Sequence, residues 1–482
     1  MRELLSRPKV AVSIVYVAGL FMSIMDATIV NVALPNIGRD LHVGATNVDA
    51  ISIGYLVSLA IVIPTSGWVG DRFGGKRVML AAIVIFTAAS VLCGLAQSFG
   101  ELVAFRILQG VGGGMLTPVG MAMLFRVFPP QERVRASSIL VIPTALAPAV
   151  GPVLGGLLVD SLSWRWVFFV NLPLGLLALA YGVLFLRDTD LPPAGRFDVP
   201  GFLLSGAGFA ALMYGVSEGP DKGWGSTQIV VTITVGVALL LILVASQLRT
   251  REPLLNLRLF GDRLFRSATA ALFLATAAFL GVLYLVALFF QVGLGMDALG
   301  SGLSTFPEAI GVMVGAQAVS RRLYPWLGPR RVMTGGLVGV GAVMVAMTQI
   351  DAGDLWAMRG LMFLLGYAMA HCFVPAQAAA FARISASDMG RGSTLFNALR
   401  QLGGAAGVAA LTSVITAAGV GQTLVSGAGT RDLHPYHAAF LVAGVISLAA
   451  ALICLTIRDE DAESTRVRRR RQVPTPEPAL VD

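Results

Sequence analysis

The chain has 482 residues, of which 56% are hydrophobic and 13% charged, with a formal net charge of +8. A water-soluble chain of this length would carry about 25% charged residues. The composition therefore excludes a soluble globular enzyme and points to a polytopic membrane protein.

A bilayer crossing needs ~20 largely apolar residues at 1.5 Å per residue. Taken in order, runs that meet this fall near residues 11–34, 47–69, 78–97, 101–125, 137–160, 165–186, 200–217, 227–248, 267–291, 299–319, 331–350, 355–378, 392–417 and 437–457. The pattern predicts an all-α polytopic membrane protein with fourteen transmembrane helices and both ends on one side. The opening segment, MRELLSRPKVAV, has no small-residue cleavage site behind a short apolar core, so the first span is read as uncleaved.

Charge placement sets the orientation. With the N-terminus inside, 28 of the 35 Lys and Arg residues lie in inside segments and five in outside ones; Arg106 and Arg400 lie within spans. This alternation obeys the positive-inside rule, so both termini are expected in the cytoplasm. The positive net charge then follows from topology, and no nucleic-acid partner is expected. After Arg458 come an acidic cluster (Asp459, Glu460, Asp461, Glu463), then Arg468–Arg471, then Pro474, Pro476 and Pro478. This tail is too polar to bury a core and is expected to be disordered, its arginines in water or against anionic lipid. Cys93, Cys372 and Cys454 lie far apart in apolar runs, which reads as small core residues rather than a disulfide framework.

Charges within spans are costly, by several kcal/mol on insertion scales, and mark functional sites. Asp26 on span 1, Arg106 on span 4 and Glu308 on span 10 each fall roughly 12–13 Å below the outer surface. Each sits on a small or polar stripe: Gly19, Ser23 and Asp26; Arg106, Gln109, Gly110, Gly113 and Thr117; Ser304, Glu308, Gly311 and Gly315. Such stripes face protein or a cavity. Asp26 is a candidate proton-carrying group, and Arg106 and Glu308 are buried charges at the same level that usually pair. Gln109, Tyr284, Tyr367, His371, Asn397 and Arg400 are candidate lining residues of a substrate cavity. His434 and His437, in an outer loop with few carboxylate neighbours, do not make a metal site.

The loop after span 2 runs Gly67-Trp68-Val69-Gly70-Asp71-Arg72-Phe73-Gly74-Gly75-Lys76-Arg77. Gly70 to Lys76 fits the start of a phosphate-binding loop, but Arg77 replaces the required Ser or Thr and no strand precedes it. A tight turn with Asp71 facing Arg72, Lys76 and Arg77 reads instead as a cytoplasmic gate. Span 5 holds Pro143, Pro148, Gly151, Pro152, Gly155 and Gly156. Its prolines are expected to break the hydrogen-bond ladder repeatedly and its glycines to allow close helix contact, as suits a rocking element.

Several of these stretches resemble the major facilitator superfamily, and within it the fourteen-helix drug:proton antiporters. Asp26-Ala27-Thr28-Ile29-Val30-Asn31-Val32-Ala33-Leu34-Pro35 resembles that family's span 1 signature. Gly67 to Arg77 resembles the loop 2–3 motif, and Arg106, Gln109, Gly110 and Gly114 the span 4 motif. Pro148, Gly151, Pro152, Gly155 and Gly156 resemble the antiporter motif, and Trp164 to Gly175 and Arg400 to Gly404 also match the family's pattern. The resemblance implies two six-helix bundles related by pseudo-symmetry, with two helices inserted between. Residues 1–187 and 267–457 would form the bundles, 188–266 the insert and 458–482 the tail. It implies proton-coupled export by alternating access, with Asp26 and Arg106 coupling the proton and Asp71 acting as a gate beside Arg72, Lys76 and Arg77. Glu308 departs from the family pattern and implies a second proton site or a preference for cations.

The expectation is thus a monomeric multidrug antiporter of the bacterial cytoplasmic membrane. It would exchange protons for hydrophobic, cationic drugs and need no cofactor beyond the proton gradient. The alternatives are a dedicated exporter of one endogenous amphiphile and, more distantly, a non-transporting membrane sensor or scaffold.

Overall fold

The computed structural model describes residues 7–188, 194–296, 298–350, 354–418 and 433–466. The four arginines Arg468–Arg471 and the prolines that follow lie outside the described residues.

Fourteen long helices follow one another: α1 Pro8–Asp40, α2 Ala50–Phe73, α3 Gly75–Leu95, α4 Phe99–Val127, α5 Arg133–Ser161, α6 Asn171–Phe185, α7 Val199–Lys222, α8 Thr227–Arg249, α9 Arg263–Leu288, α10 Ala298–Ala318, α11 Tyr324–Met347, α12 Leu355–Ala380, α13 Met389–Ala417 and α14 His434–Cys454. Among the described residues thirteen continuous stretches are long and apolar enough to cross a bilayer. One of them, Gly300–Met347, is 48 residues long and holds both α10 and α11, bent where Gly328 takes a φ of 78°. Side-chain caps start three helices: Ser98 accepts from the Glu101 amide, Asp198 from Gly201 and Asp262 from Phe265. α5 runs as one helix through Pro143, Pro148 and Pro152, each of which takes one donor out of its hydrogen-bond ladder.

The packing repeats. In the first half α2 and α3 pack on α4, α1 on α5, and α1 and α3 on α6; in the second α10 and α11 pack on α12, α9 on α13, and α9 and α11 on α14. The turns repeat as well. Asp188, just after α6, accepts the Lys76 amide at 3.1 Å beside Gly74, while Asp459, just after α14, accepts the Arg330 amide at 3.0 Å beside Gly328. Gly74 and Gly328 both have positive φ, which a side chain would strain. α7 bridges the halves, packing on α2 and α13, and α8 packs mainly on α7. α8 turns Val231, Leu241, Ile242 and Leu248 outward, an apolar surface suited to lipid.

The cationic segments share one face. Lys9 bonds Glu132, Arg126 reaches Ala386, and Arg263 and Arg383 both pair with Asp461. The opposite face carries Trp164 and Arg165, which bond Asp40 and the Ala96 carbonyl. The tail departs from its expectation in part. Residues 458–466 fold onto the cationic face, with Thr465 bonding the buried Tyr324 hydroxyl at 2.6 Å and Arg466 donating to Trp326. Asp461 finds Arg263 and Arg383 there, which the composition of the tail alone does not reveal.

Candidate functional site

Asp26 lies midway along α1 and Arg106 in the second turn of α4; both are fully buried within the first half. They form an ion pair through Asp26 Oδ2 and Arg106 Nη1. The other carboxylate oxygen, Oδ1, accepts from Gln109 Nε2 at 2.8 Å and from Asn171 Nδ2 at 3.0 Å. Gln109 in turn accepts from Arg106 Nη1 at 2.7 Å, and Asn171 also donates to Ser90, whose hydroxyl donates to the Phe168 carbonyl. The guanidinium stacks 4.3 Å from the Tyr55 ring, and the Tyr55 hydroxyl meets Ser23 at 3.0 Å. Side chains from α1, α2, α3, α4 and α6 thus converge on one carboxylate.

The small residues make this convergence possible. A Cβ on Gly110 would sit 2.6 Å from the Tyr55 carbonyl and one on Gly113 2.9 Å from the Tyr55 hydroxyl. Breaking such a buried pair by removing one partner costs about 3–5 kcal/mol. Either charge alone would be left buried without a counter-ion, so the pair holds α1 against α4. The sequence reading put Gln109 in a substrate cavity; the structure puts it in this cluster instead. Asn171, Ser90 and Tyr55 went unassigned, although Asn171, a polar residue at the head of an apolar helix, carried a readable signal.

Glu308 does not join them. It lies in the other half, on α10, 3% exposed, and its Oε1 has no hydrogen-bond partner. Its stripe faces protein as expected, since Cβ atoms on Gly311 and Gly315 would meet the backbone carbonyls of Phe363 and Tyr367 on α12. One turn up, Arg359 donates to Ser304 at 3.3 Å and stacks on Trp356. Arg359 of α12 thereby takes a place like that of Arg106 on α4, but with a hydroxyl where Arg106 has an acid.

At the cationic face the halves are sealed. Asp71 pairs with Arg126 of α4 at 2.6 Å rather than with Arg72, Lys76 or Arg77. Helix geometry explains the correction: Asp71 points inward from the last turn of α2, while Arg72 and Arg77 point out and are exposed, and Lys76 donates to the Val183 carbonyl. Arg126 also donates to the Ala386 carbonyl in the other half at 3.2 Å. A Cβ on Gly67 would lie 2.7 Å from both Gly390 O and Thr394 Oγ1 of α13. Ser393 donates to the Pro118 carbonyl at 2.7 Å, Arg133 donates to the Phe381 carbonyl, and Phe125 stacks on Phe381 at 4.8 Å. Asn397, expected on a cavity wall, is buried in this seal beside Met121.

The remaining candidates are spread along the C-terminal half. Tyr367 and His371 stack at 4.7 Å one turn apart on α12, with His371 Nδ1 against the Tyr367 carbonyl at 2.7 Å. Arg400, on α13, lies near the Tyr16 phenol of α1, and its Nε has no partner. Tyr284 on α9 is exposed. In α5, Gly151 and Gly155 press on Thr28 and Ile29 of α1, with Pro148 and Pro152 partly buried between them, whereas Gly156 faces open space.

The family model described as Major Facilitator Superfamily matches residues 16–408. The chain is 33% identical over 403 residues to a multidrug resistance protein B homolog of Mycobacterium tuberculosis, covering 82% of this chain and 74% of that one. It is 30% identical over 453 residues to the putative multidrug resistance protein MdtD of Klebsiella pneumoniae, covering 94% and 95%. Among solved structures, the human organic anion transporter MFSD10 (TETRAN) superposes with a TM-score of 0.67 at 18% identity, over 93% of this chain and 99% of that one.

Proposed function

The chain belongs to the major facilitator superfamily, and on that footing we propose that it is a proton-coupled antiporter exporting hydrophobic, cationic compounds. It works as a monomer in a bacterial cytoplasmic membrane, with both termini in the cytoplasm. The observation that carries the reading is the buried Asp26–Arg106 pair with its two amide donors. The multidrug resistance names of two relatives support the substrate class.

Transport proceeds by alternating access between the two repeated halves. The conformation described here is sealed at the cytoplasmic face through Asp71, Arg126 and the α13 start. Protonation of Asp26 releases Arg106 and Gln109, loosens α1 against α4 and shifts the balance between inward and outward states. Binding can move that balance only by as much as proton and substrate prefer one state over the other. Glu308, a buried acid that makes no ion pair among the described residues, serves as a second protonatable group and favours cationic substrates. Tyr284, Tyr367, His371 and Arg400 line the substrate path.

The test is transport in everted membrane vesicles with a panel of cationic and neutral dyes. Proton release driven by several unrelated cations supports the reading. A response to a single endogenous amphiphile would favour a dedicated exporter, and no proton flux with any compound would contradict antiport.

A further inference from the structure

A groove of about 820 Å³ opens at the cationic face, beside the gate and apart from it. Its walls are Trp68 and Arg72 from the end of α2, Arg196 and Phe197 from the connector into α7, and Arg251 and Glu252 from the connector out of α8. The inserted helix pair therefore meets the first half here. Trp68 fixes the junction: its Nε1 donates to the Gly195 carbonyl at 2.9 Å and its ring lies 4.8 Å from Phe197.

The charges in this groove are unbalanced. Both of its acids are already engaged by backbone or amide donors. Asp198 caps α7 and accepts from Gln247 Nε2 at 2.6 Å, and Glu252 accepts the Arg196 amide at 2.6 Å. Among the described residues none of the guanidinium groups of Arg72, Arg196 and Arg251 forms an ion pair with an acid. Three arginines against two hydrogen-bonded carboxylates leave the cleft with a net charge of +1 beside a tryptophan wall. Close in sequence to the lining residues, Phe73, Val199, Leu203 and Leu248 are exposed apolar residues.

Guanidinium groups above an apolar rim match a phosphate above acyl chains. Basic pockets between transmembrane helices bind anionic headgroups in this way, and Arg suits phosphate oxygens through paired donors. We propose that this groove binds the phosphate of an anionic membrane lipid, of the phosphatidylglycerol class, which ties the α7–α8 pair to the gate end of α2. The occupant is a lipid rather than a free anion because exposed apolar residues at the ends of α2, α7 and α8 adjoin the lining arginines in sequence.

The experiment uses the full-length protein, purified in detergent and stripped of lipid, with thermal unfolding and native mass spectrometry as readouts. Dioleoyl-phosphatidylglycerol, dioleoyl-phosphatidylcholine and inorganic phosphate are added at matched concentration. Phosphatidylglycerol is expected to raise the melting temperature and to stay bound, while phosphatidylcholine and phosphate do neither. The double variant Arg196→Gln/Arg251→Gln is expected to bind phosphatidylglycerol roughly thirtyfold more weakly, since it removes two basic groups and each counts for about one kcal/mol near an anionic surface. Arg196→Lys/Arg251→Lys keeps most of the effect. Equal protection by the two lipids, equal protection by phosphate alone, or full binding by the glutamine variant overturns the proposal. Should the glutamine variant fail to fold, the wild-type comparison of the three additives decides.

Discussion

Asp71 and Arg126 join the last turn of α2 to the last turn of α4 at 2.6 Å, and the same arginine reaches across to the Ala386 carbonyl of the second half. Both side chains are mostly shielded, at 12% and 5% exposure, so their separation is costly. The seal between the halves thus depends on a pair within one of them.

Removing one partner therefore weakens closure. Asp71→Asn is expected to cost on the order of 3 kcal/mol of the sealed state. The measurement is labelling of Ser393→Cys, which is buried against Pro118, in a chain whose native cysteines are replaced. Labelling from the cytoplasmic side rises at least severalfold in Asp71→Asn. Equal labelling with and without the pair would show that it does not hold the gate.

The glycines of α5 separate by environment. A Cβ on Gly151 would collide with Thr28 of α1, while one on Gly156 meets nothing within 4 Å. Gly151→Ala is expected to lower stability by about 1–3 kcal/mol, read as a lower melting temperature in detergent. Gly156→Ala changes stability by about 0.5 kcal/mol or less. A loss of equal size in both would mean that helix contact is not the reason for the motif.

The paired caps of the two halves make a matched prediction. Asp188→Ala and Asp459→Ala each remove one charge-assisted bond to a backbone amide two residues after a positive-φ glycine. Each is expected to lower stability by about 1–2 kcal/mol, and the losses add because the sites are far apart. A double variant no worse than either single one would contradict two independent caps.

Much of this arrangement can be read before any coordinates exist. Fourteen apolar runs and the alternation of arginines give the helix count and the shared face of the cationic loops, because span length and insertion energetics act locally. Asp26 and Arg106 stand out because charge in a span is rare. What cannot be read is partner choice at the ends of helices. The loop composition offers Asp71 three basic neighbours, and only the direction in which the helix turns selects Arg126. Arg187-Asp188 and Arg458-Asp459 stand at equivalent places after α6 and α14, but a two-residue match means little without the two aspartates seen on matching amides. Glu308 shares a depth with Asp26, but equal depth does not say that two buried charges meet, and its place on span 10 already put it in the other bundle.

Glu308 carries its own prediction. Its Oε1 is buried without a partner, so a neutral amide of the same shape is tolerated by the packing. Glu308→Gln is expected to fold normally and to lower export of cationic dyes about tenfold, with little effect on neutral ones. Efflux assays with a matched pair of dyes check this. An equal loss for both charge types would remove Glu308 from substrate selection.

The central claim is that Asp26 takes up and gives back the proton that drives export. Asp26→Asn keeps the hydrogen-bonding shape, removes the titration and leaves Arg106 without its counter-charge. The direct measurement is substrate transport by this variant in proteoliposomes with and without an imposed pH gradient, alongside wild type at matched protein level. The account predicts that substrate still binds but that acceleration of export by the proton gradient disappears. Export by Asp26→Asn with the wild-type dependence on the gradient would contradict it.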